Sequence, residues 1–184
     1  MKQYMDARSG SLRRSLFLLV VVLVAATLAI PALAAGSSGE CSKNSANRKL
    51  DFWLGNWAVT YPGVTSGATS TVSLDLDKCL IVETWNGGQG HSGKNMLAYS
   101  ADDKSWHGMF ADNEGRVHVF EGKVTSGVAE FHGPSVGPSG EAVLNRIKVI
   151  RETPDKLEQV WEKSIDNGSN WKTVFQGEYS RRRP

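Results

Sequence analysis

The sequence predicts an all-β domain: a single antiparallel up-and-down barrel of about ten strands, preceded by a cleaved signal peptide. Three observations carry that expectation. From Gly55 onward, short apolar-rich runs of period two are separated by Gly, Pro, Asn and Asp, the pattern of half-buried strands joined by turns. No amphipathic helical pattern follows residue 54. An open sheet of this many strands would leave two unpaired edges, and closing it into a barrel removes both.

In chain order, residues 1–34 follow the secretory pattern. Lys2, Arg8, Arg13 and Arg14 give a basic start, and 16–30 is an apolar run broken only by Thr27. Ala32-Leu33-Ala34 supplies an A-x-A cleavage site. The apolar run is shorter than the roughly 20 residues needed to span a bilayer. The expectation is an exported protein, periplasmic or extracellular, with no stable membrane insertion after cleavage. Cys41 follows Ser38-Gly39-Glu40, which lacks the apolar and small residues that precede a lipidated cysteine. Residues 35–49 form an N-terminal segment and 50–184 the barrel domain.

Removing the signal changes the charge balance. It holds four of the 21 Lys and Arg and one of the 19 Asp and Glu, leaving 17 against 18, a net charge of −1. Nothing in that balance recommends nucleic acid or an anionic membrane as a partner. The two cysteines, Cys41 and Cys79, are expected to pair in an oxidising compartment and tie the N-terminal segment to the start of a strand.

The first element of the mature chain is the cluster Leu50-Asp51-Phe52-Trp53-Leu54-Gly55-Asn56-Trp57. Phe52, Trp53 and Trp57 each carry about 150 to 250 Å² of largely apolar surface, enough to seed a core, and Gly55 lets the chain turn between them. Strands are then expected at 56–61, 70–76, 80–85, 95–99, 105–111, 116–123, 128–132, 142–152, 157–163 and 171–179. Turn chemistry marks most junctions, as in Asp112-Asn113-Glu114-Gly115 and Asp166-Asn167-Gly168-Ser169. The looser stretches 85–94 and 133–141 are expected at a rim.

Gly55-Asn56-Trp57, opening the first strand after an aromatic turn, resembles the G-x-W signature of the lipocalin and calycin superfamily. More of the chain resembles a lipocalin-like family of bacterial secreted proteins: Asp51-Phe52-Trp53-Leu54-Gly55-x-Trp57, Cys79-Leu80-Ile81-Val82-Glu83-x-Trp85, Gly90-x-Ser92-Gly93-Lys94, Trp106-His107 with Asp112, and Gln159-x-Trp161-Glu162-x-Ser164-x-Asp166-x-Gly168-x-x-Trp171. The resemblance implies an antiparallel barrel with an internal cavity and transfers no catalytic residue. It also implies a late arginine packed over Trp57, for which Arg181, Arg182 and Arg183 are all candidates.

Two motifs resolve into structure rather than chemistry. Residues 88–94 fit the start of a phosphate-binding loop, but Asn95 stands where a magnesium-binding hydroxyl is needed and a strand follows where a helix is needed. Ser164, Asp166, Gly168 and Trp171 match the aspartate box, a folded hairpin in which carboxylate and hydroxyl bond turn amides.

The candidate ligand-binding residues are Glu83, Trp85, Trp106, His107, His118 and Trp161. Glu83 sits between Val82 and Thr84 in an apolar strand. Facing inward it would be desolvated, with a raised pKa and a role as acid, base or hydrogen-bond acceptor; facing outward it is the polar half of the alternation. If the hairpin at Asn113-Glu114 pairs Ala111 with Arg116, His107 and His118 share a face as diagonal neighbours, about 7 to 8 Å apart. They would then sit over one ligand, or around a metal with Glu83. Otherwise they are exposed histidines alternating with a buried Trp106, Phe110, Val117 and Val119 face. The histidine spacing gives no sequence-local metal site, and no cofactor is expected.

The leading functional expectation is a barrel that binds a small, largely apolar or aromatic molecule. A small enzyme, an isomerase, cyclase or hydrolase using Glu83 or His107 as general base, is the second. A barrel filled by its own side chains, with a protein partner at its rim, is the third.

Overall fold

The computed structural model describes residues 40–64 and 67–183. The expected signal peptide lies outside them. Among the described residues no helix is long and apolar enough to cross a membrane.

Ten antiparallel strands close into one barrel: β1 (Gly55–Thr60), β2 (Thr69–Asp75), β3 (Leu80–Gly88), β4 (His91–Ser100), β5 (Ser105–Asp112), β6 (Val117–Thr125), β7 (Val128–Val136), β8 (Ala142–Thr153), β9 (Lys156–Ser164) and β10 (Lys172–Arg181). Each strand pairs with its neighbour in sequence, and β10 returns to β1, Trp57 facing Arg181 and Thr60 facing Glu178. The meander order and closure follow from the alternation and tight turns of the sequence.

The stretches expected to be loose are mostly strand. Within 85–94, β3 runs to Gly88 and β4 starts at His91, so only Gln89 and Gly90 form the turn, both at positive φ (51° and 86°). That is the geometry of the two-residue turns whose twist matches a hairpin. Within 133–141, β7 continues through Pro134 to Val136, and the turn is held by Gly137 N donating to Glu141 O at 2.8 Å.

One end of the barrel is capped. The aromatic cluster folds as a single 3-10 turn, Asp51–Trp53, whose Trp53, with Leu50, is buried in the same core as Trp57, Val59, Val72, Val149 and Leu157. The Trp57 indole N–H donates to Trp53 O at 2.8 Å, so the cap and the first strand are tied together. Of the three candidate arginines, Arg181 covers Trp57: its guanidinium carbon lies 4.2 Å from the ring centre, and Nη1 donates to Leu54 O at 2.9 Å. Gly55 is required here. Its φ is +129°, and a Cβ on it would stand 2.4 Å from Arg181 Nη1. Cys41 and Cys79 are bonded, fastening the short helix α1 (Glu40–Lys43) beside the start of β3 at this same end.

The aspartate box folds as expected for a turn. Ser164 Oγ donates to Asp166 Oδ1 at 2.7 Å and accepts from Gly168 N at 2.8 Å, while Asn170 N donates to Asp166 Oδ1 at 2.8 Å. These donors, led by the Asn170 side chain, hold the Asp166 carboxyl down to about 2. Trp171 lies half-buried, with the Arg146 guanidinium 4.2 Å from its ring centre.

Candidate functional site

The capped half of the barrel is filled by the core, and the other half holds a cavity of about 270 Å³. It lies toward the end where β3 turns into β4, β5 into β6, and β9 leads to the aspartate box. Period-two alternation aims its lining residues inward: Glu83 and Trp85 on β3, Asn95 on β4, Phe110 on β5, His118 on β6, Gln159, Trp161 and Lys163 on β9, Phe175 and Tyr179 on β10.

The wall is aromatic. Phe175 stands 6.4 Å from Trp85, Trp85 6.5 Å from Phe110, and Phe110 6.2 Å from Trp161, each pair edge to face. His118 completes it, 4.8 Å from Trp161. Edge-to-face geometry suits the ring quadrupoles and fixes the rings against one another. Small inward residues make room for them: a Cβ on Gly93 would lie 2.6 Å from Phe110, and one on Gly87 2.2 Å from Trp85.

At the inner end of the cavity Glu83 is only 3% exposed. Ser70 Oγ donates to its Oε1 at 2.7 Å, and the Asn95 side chain adds a second hydrogen bond. Burial disfavours the charged form more than these bonds favour it, and the pKa rises to about 7. Beside it, Tyr179 donates to Gln159 Oε1, and burial, together with the Glu83 carboxyl, pushes its phenol well above the ordinary range. Asn95 Oδ1 and His118 Nδ1 are buried and have no hydrogen-bond partner. Burial, and then the nearby Lys163 charge, lowers the His118 pKa, so its ring is neutral at neutral pH.

The mouth is rigid. Asn113 bridges two turns: its Nδ2 donates to Gly90 O at 2.7 Å and its Oδ1 accepts from Ser92 N at 2.9 Å. Arg116 Nε lies 2.6 Å from Asp112 Oδ2 and its Nη2 2.9 Å from Glu114 Oε2, while His91 Nδ1 is 2.7 Å from Glu114 Oε1.

Four residues singled out from the sequence come together around this cavity: Glu83, Trp85, His118 and Trp161. Two do not. Trp106 is buried in the core and does not line the cavity. His107 stands on the outer surface, its Nε2 2.7 Å from Asp103 Oδ2. The conditional pairing of His107 with His118 fails because the hairpin register is one residue longer: Ala111 faces Val117 rather than Arg116, and Phe110 faces His118. The cause is local. Asp112 Oδ1 accepts from both Glu114 N and Arg116 N at 3.0 Å, and Gly115 takes φ +82°, which together accommodate an extra residue in the loop. The same shift turns His118 inward and leaves Val117 and Val119 exposed instead of buried.

Asn95, Gln159, Phe175 and Tyr179 were not among the residues singled out. The alternation Phe175-x-Gly177-x-Tyr179-x-Arg181 carries the signal of the last two on β10, and a bulge between Thr173 and Phe175 hides where it begins. Among the described residues no group of three or more His, Cys, Asp or Glu is placed to hold a metal ion.

No protein-family model and no curated protein sequence matches the chain. Its closed ten-stranded antiparallel barrel is compatible with a lipocalin-like fold.

Proposed function

We propose that the mature chain is an exported lipocalin-like barrel that binds one small, largely apolar or aromatic molecule in the cavity at its open end. The observation that carries this reading is the cavity itself: about 270 Å³, walled by Trp85, Phe110, Trp161 and Phe175, with a few polar groups placed among them. Apolar pockets with a small number of convergent polar groups are the usual form of ligand sites. A dry apolar cavity of about 150 Å³ takes up benzene, so this one has room for a bicyclic aromatic. The cavity also argues against a barrel filled entirely by its own side chains. Export is supported by the Cys41–Cys79 disulfide together with the leader-like sequence of residues 1–34.

Native mass spectrometry of the purified mature protein, followed by extraction and identification of any adduct, tests the reading. A stoichiometric small molecule released on denaturation is the expected result. A bare mass, combined with no binding by any aromatic in a soaked library, would overturn it.

A second reading is favoured by one observation: the Glu83 carboxyl, desolvated to about 7 beside the cavity, has the pKa of a general base working at neutral pH. On that reading the barrel is a small isomerase, cyclase or hydrolase. Turnover of the extracted molecule that vanishes in Glu83→Gln, with circular dichroism unchanged, would establish it.

A further inference from the structure

The chemistry of the cavity points to one class of ligand, an inference that rests on the binding reading above. We propose that the cavity selects an organic cation, an aromatic amine whose ammonium group docks on Glu83 and Asn95 while its ring lies among Trp85, Phe110, Trp161 and Phe175.

Three independent features support a cation. The first is charge. Glu83 is buried, and the groups that hold its carboxyl, Ser70 and Asn95, are both neutral. A buried carboxylate without a cation is strongly disfavoured, and a cationic ligand supplies what the fold withholds.

The second is the balance of donors and acceptors. Asn95 Oδ1 is buried with no donor, and Tyr179 spends its hydroxyl proton on Gln159. The inner end of the cavity therefore offers the Glu83 and Asn95 oxygens and no unused hydroxyl from Ser70 or Tyr179. An ammonium group brings three N–H donors and no acceptor, whereas a ligand carboxylate brings only acceptors.

The third is the wall. Aromatic faces attract cations through their quadrupoles, more strongly where water is excluded. Four such rings border one cavity here.

The remaining titratable groups that line the cavity set the orientation. Tyr179 on β10 stays protonated, and burial with the nearby Lys163 charge favours the neutral form of His118 on β6. Toward the mouth, Arg116 is matched by Asp112 and Glu114, and His91 by Glu114. Lys163 on β9 carries its ammonium 5.8 Å from the Trp161 ring. It repels a cation held at the mouth, so the ligand's ammonium group points inward.

Proton linkage follows. Only the ionised Glu83 attracts the cation, so apparent affinity scales with the ionised fraction and falls on acidification through about 7.

Isothermal titration of the full mature chain with tryptamine, its neutral isostere 3-propylindole, and the anion indole-3-propionate decides the matter. Tryptamine stays protonated across the range used, since alkylammonium groups titrate near pH 10. At pH 8 tryptamine is expected to bind about tenfold or more tightly than 3-propylindole, consistent with a desolvated cation–aromatic and charge-assisted contact. Between pH 8 and pH 6 it is expected to lose about tenfold, with 3-propylindole nearly unchanged. Glu83→Gln should abolish the pH dependence and remove most of the preference. If that variant does not fold, the comparison of the three probes at two pH values on the parent chain still decides. A 3-propylindole affinity equal to or above that of tryptamine, or a preference for indole-3-propionate, overturns the inference and leaves the binding reading intact. Binding by none of the three overturns the inference, and together with the bare mass and silent library described above it overturns the binding reading as well.

Discussion

Glu83 shows how one inward-facing side chain alters the whole barrel's response to pH. Its pKa is 4.5 as the ordinary value and about 7 in the fold, so between those values the folded chain holds a proton that the unfolded chain has released. Stability from this group is therefore full below pH 4.5 and declines as pH rises through about 7, a change on the order of 3 kcal/mol. Urea denaturation at pH 5 and pH 8 is expected to show this loss in the parent, and Glu83→Gln is expected to reduce it and to exceed the parent in stability at pH 8. Trp57 governs stability by another route. It is completely buried, donates to Trp53 O and lies under Arg181, so Trp57→Ala should cost about 3 to 5 kcal/mol by calorimetry or denaturant titration. The importance of Trp57 was legible in the sequence, because three large rings in six positions must be buried somewhere. The direction of Glu83 was not. Leu80, Ile81 and Val82 are all apolar, so the strand carries no alternation to say which face looks inward, and only the pairing of Glu83 with Asn95 across to β4 places it.

Among the elements, the strands were the most legible and the turns between them the least. All ten runs of period two became strands, while the β5–β6 hairpin gained a residue through hydrogen bonds that Asp112 makes to its own loop. One turn moves every side chain of the following strand to the opposite face, which is why the cavity's histidine could not be chosen from the sequence. The segment Leu76–Lys78 is another case where tertiary contacts override local preference. Leu76, Asp77 and Lys78 all take positive φ, at 45°, 53° and 71°, a run that residues with a Cβ seldom adopt. Asp75 Oδ1 accepts from Leu76 N at 2.6 Å, Arg48 donates to Lys78 O, and the disulfide holds Cys79 from the next position. The cysteines are 38 residues apart, so replacing both with serine should lower stability by about 4 kcal/mol in the chain-entropy model. Limited proteolysis should then cut first near Leu76, which is exposed, while ligand affinity at the far end of the barrel stays within about twofold, as expected for distant, uncoupled sites.

The barrel domain has unlike ends, one packed and fastened, the other hollow and rimmed by charge. Its seam is β1, the shortest strand at Gly55–Thr60, which pairs with β10 only from Trp57 to Thr60 and with β2 only from Gly55 to Ala58. Thr60, at the end of β1, is paired with β10 but not with β2, so amide hydrogen exchange is expected to be fastest there among the strands and slowest in the long β7–β8 pairing. Fast exchange in β8 would contradict this picture of where the barrel opens. The closure carries a practical meaning as well. Arg182 N donates to Asn56 O at 2.8 Å and Arg183 contacts Asp155 Oδ2 at 3.0 Å, while Cys41 is bonded to Cys79, so both ends of the barrel domain leave from the packed side. A fluorescent protein, an affinity tag or a surface attachment joined at either end of the described domain would project away from the mouth. The barrel is thereby suited to immobilisation with every cavity facing solution.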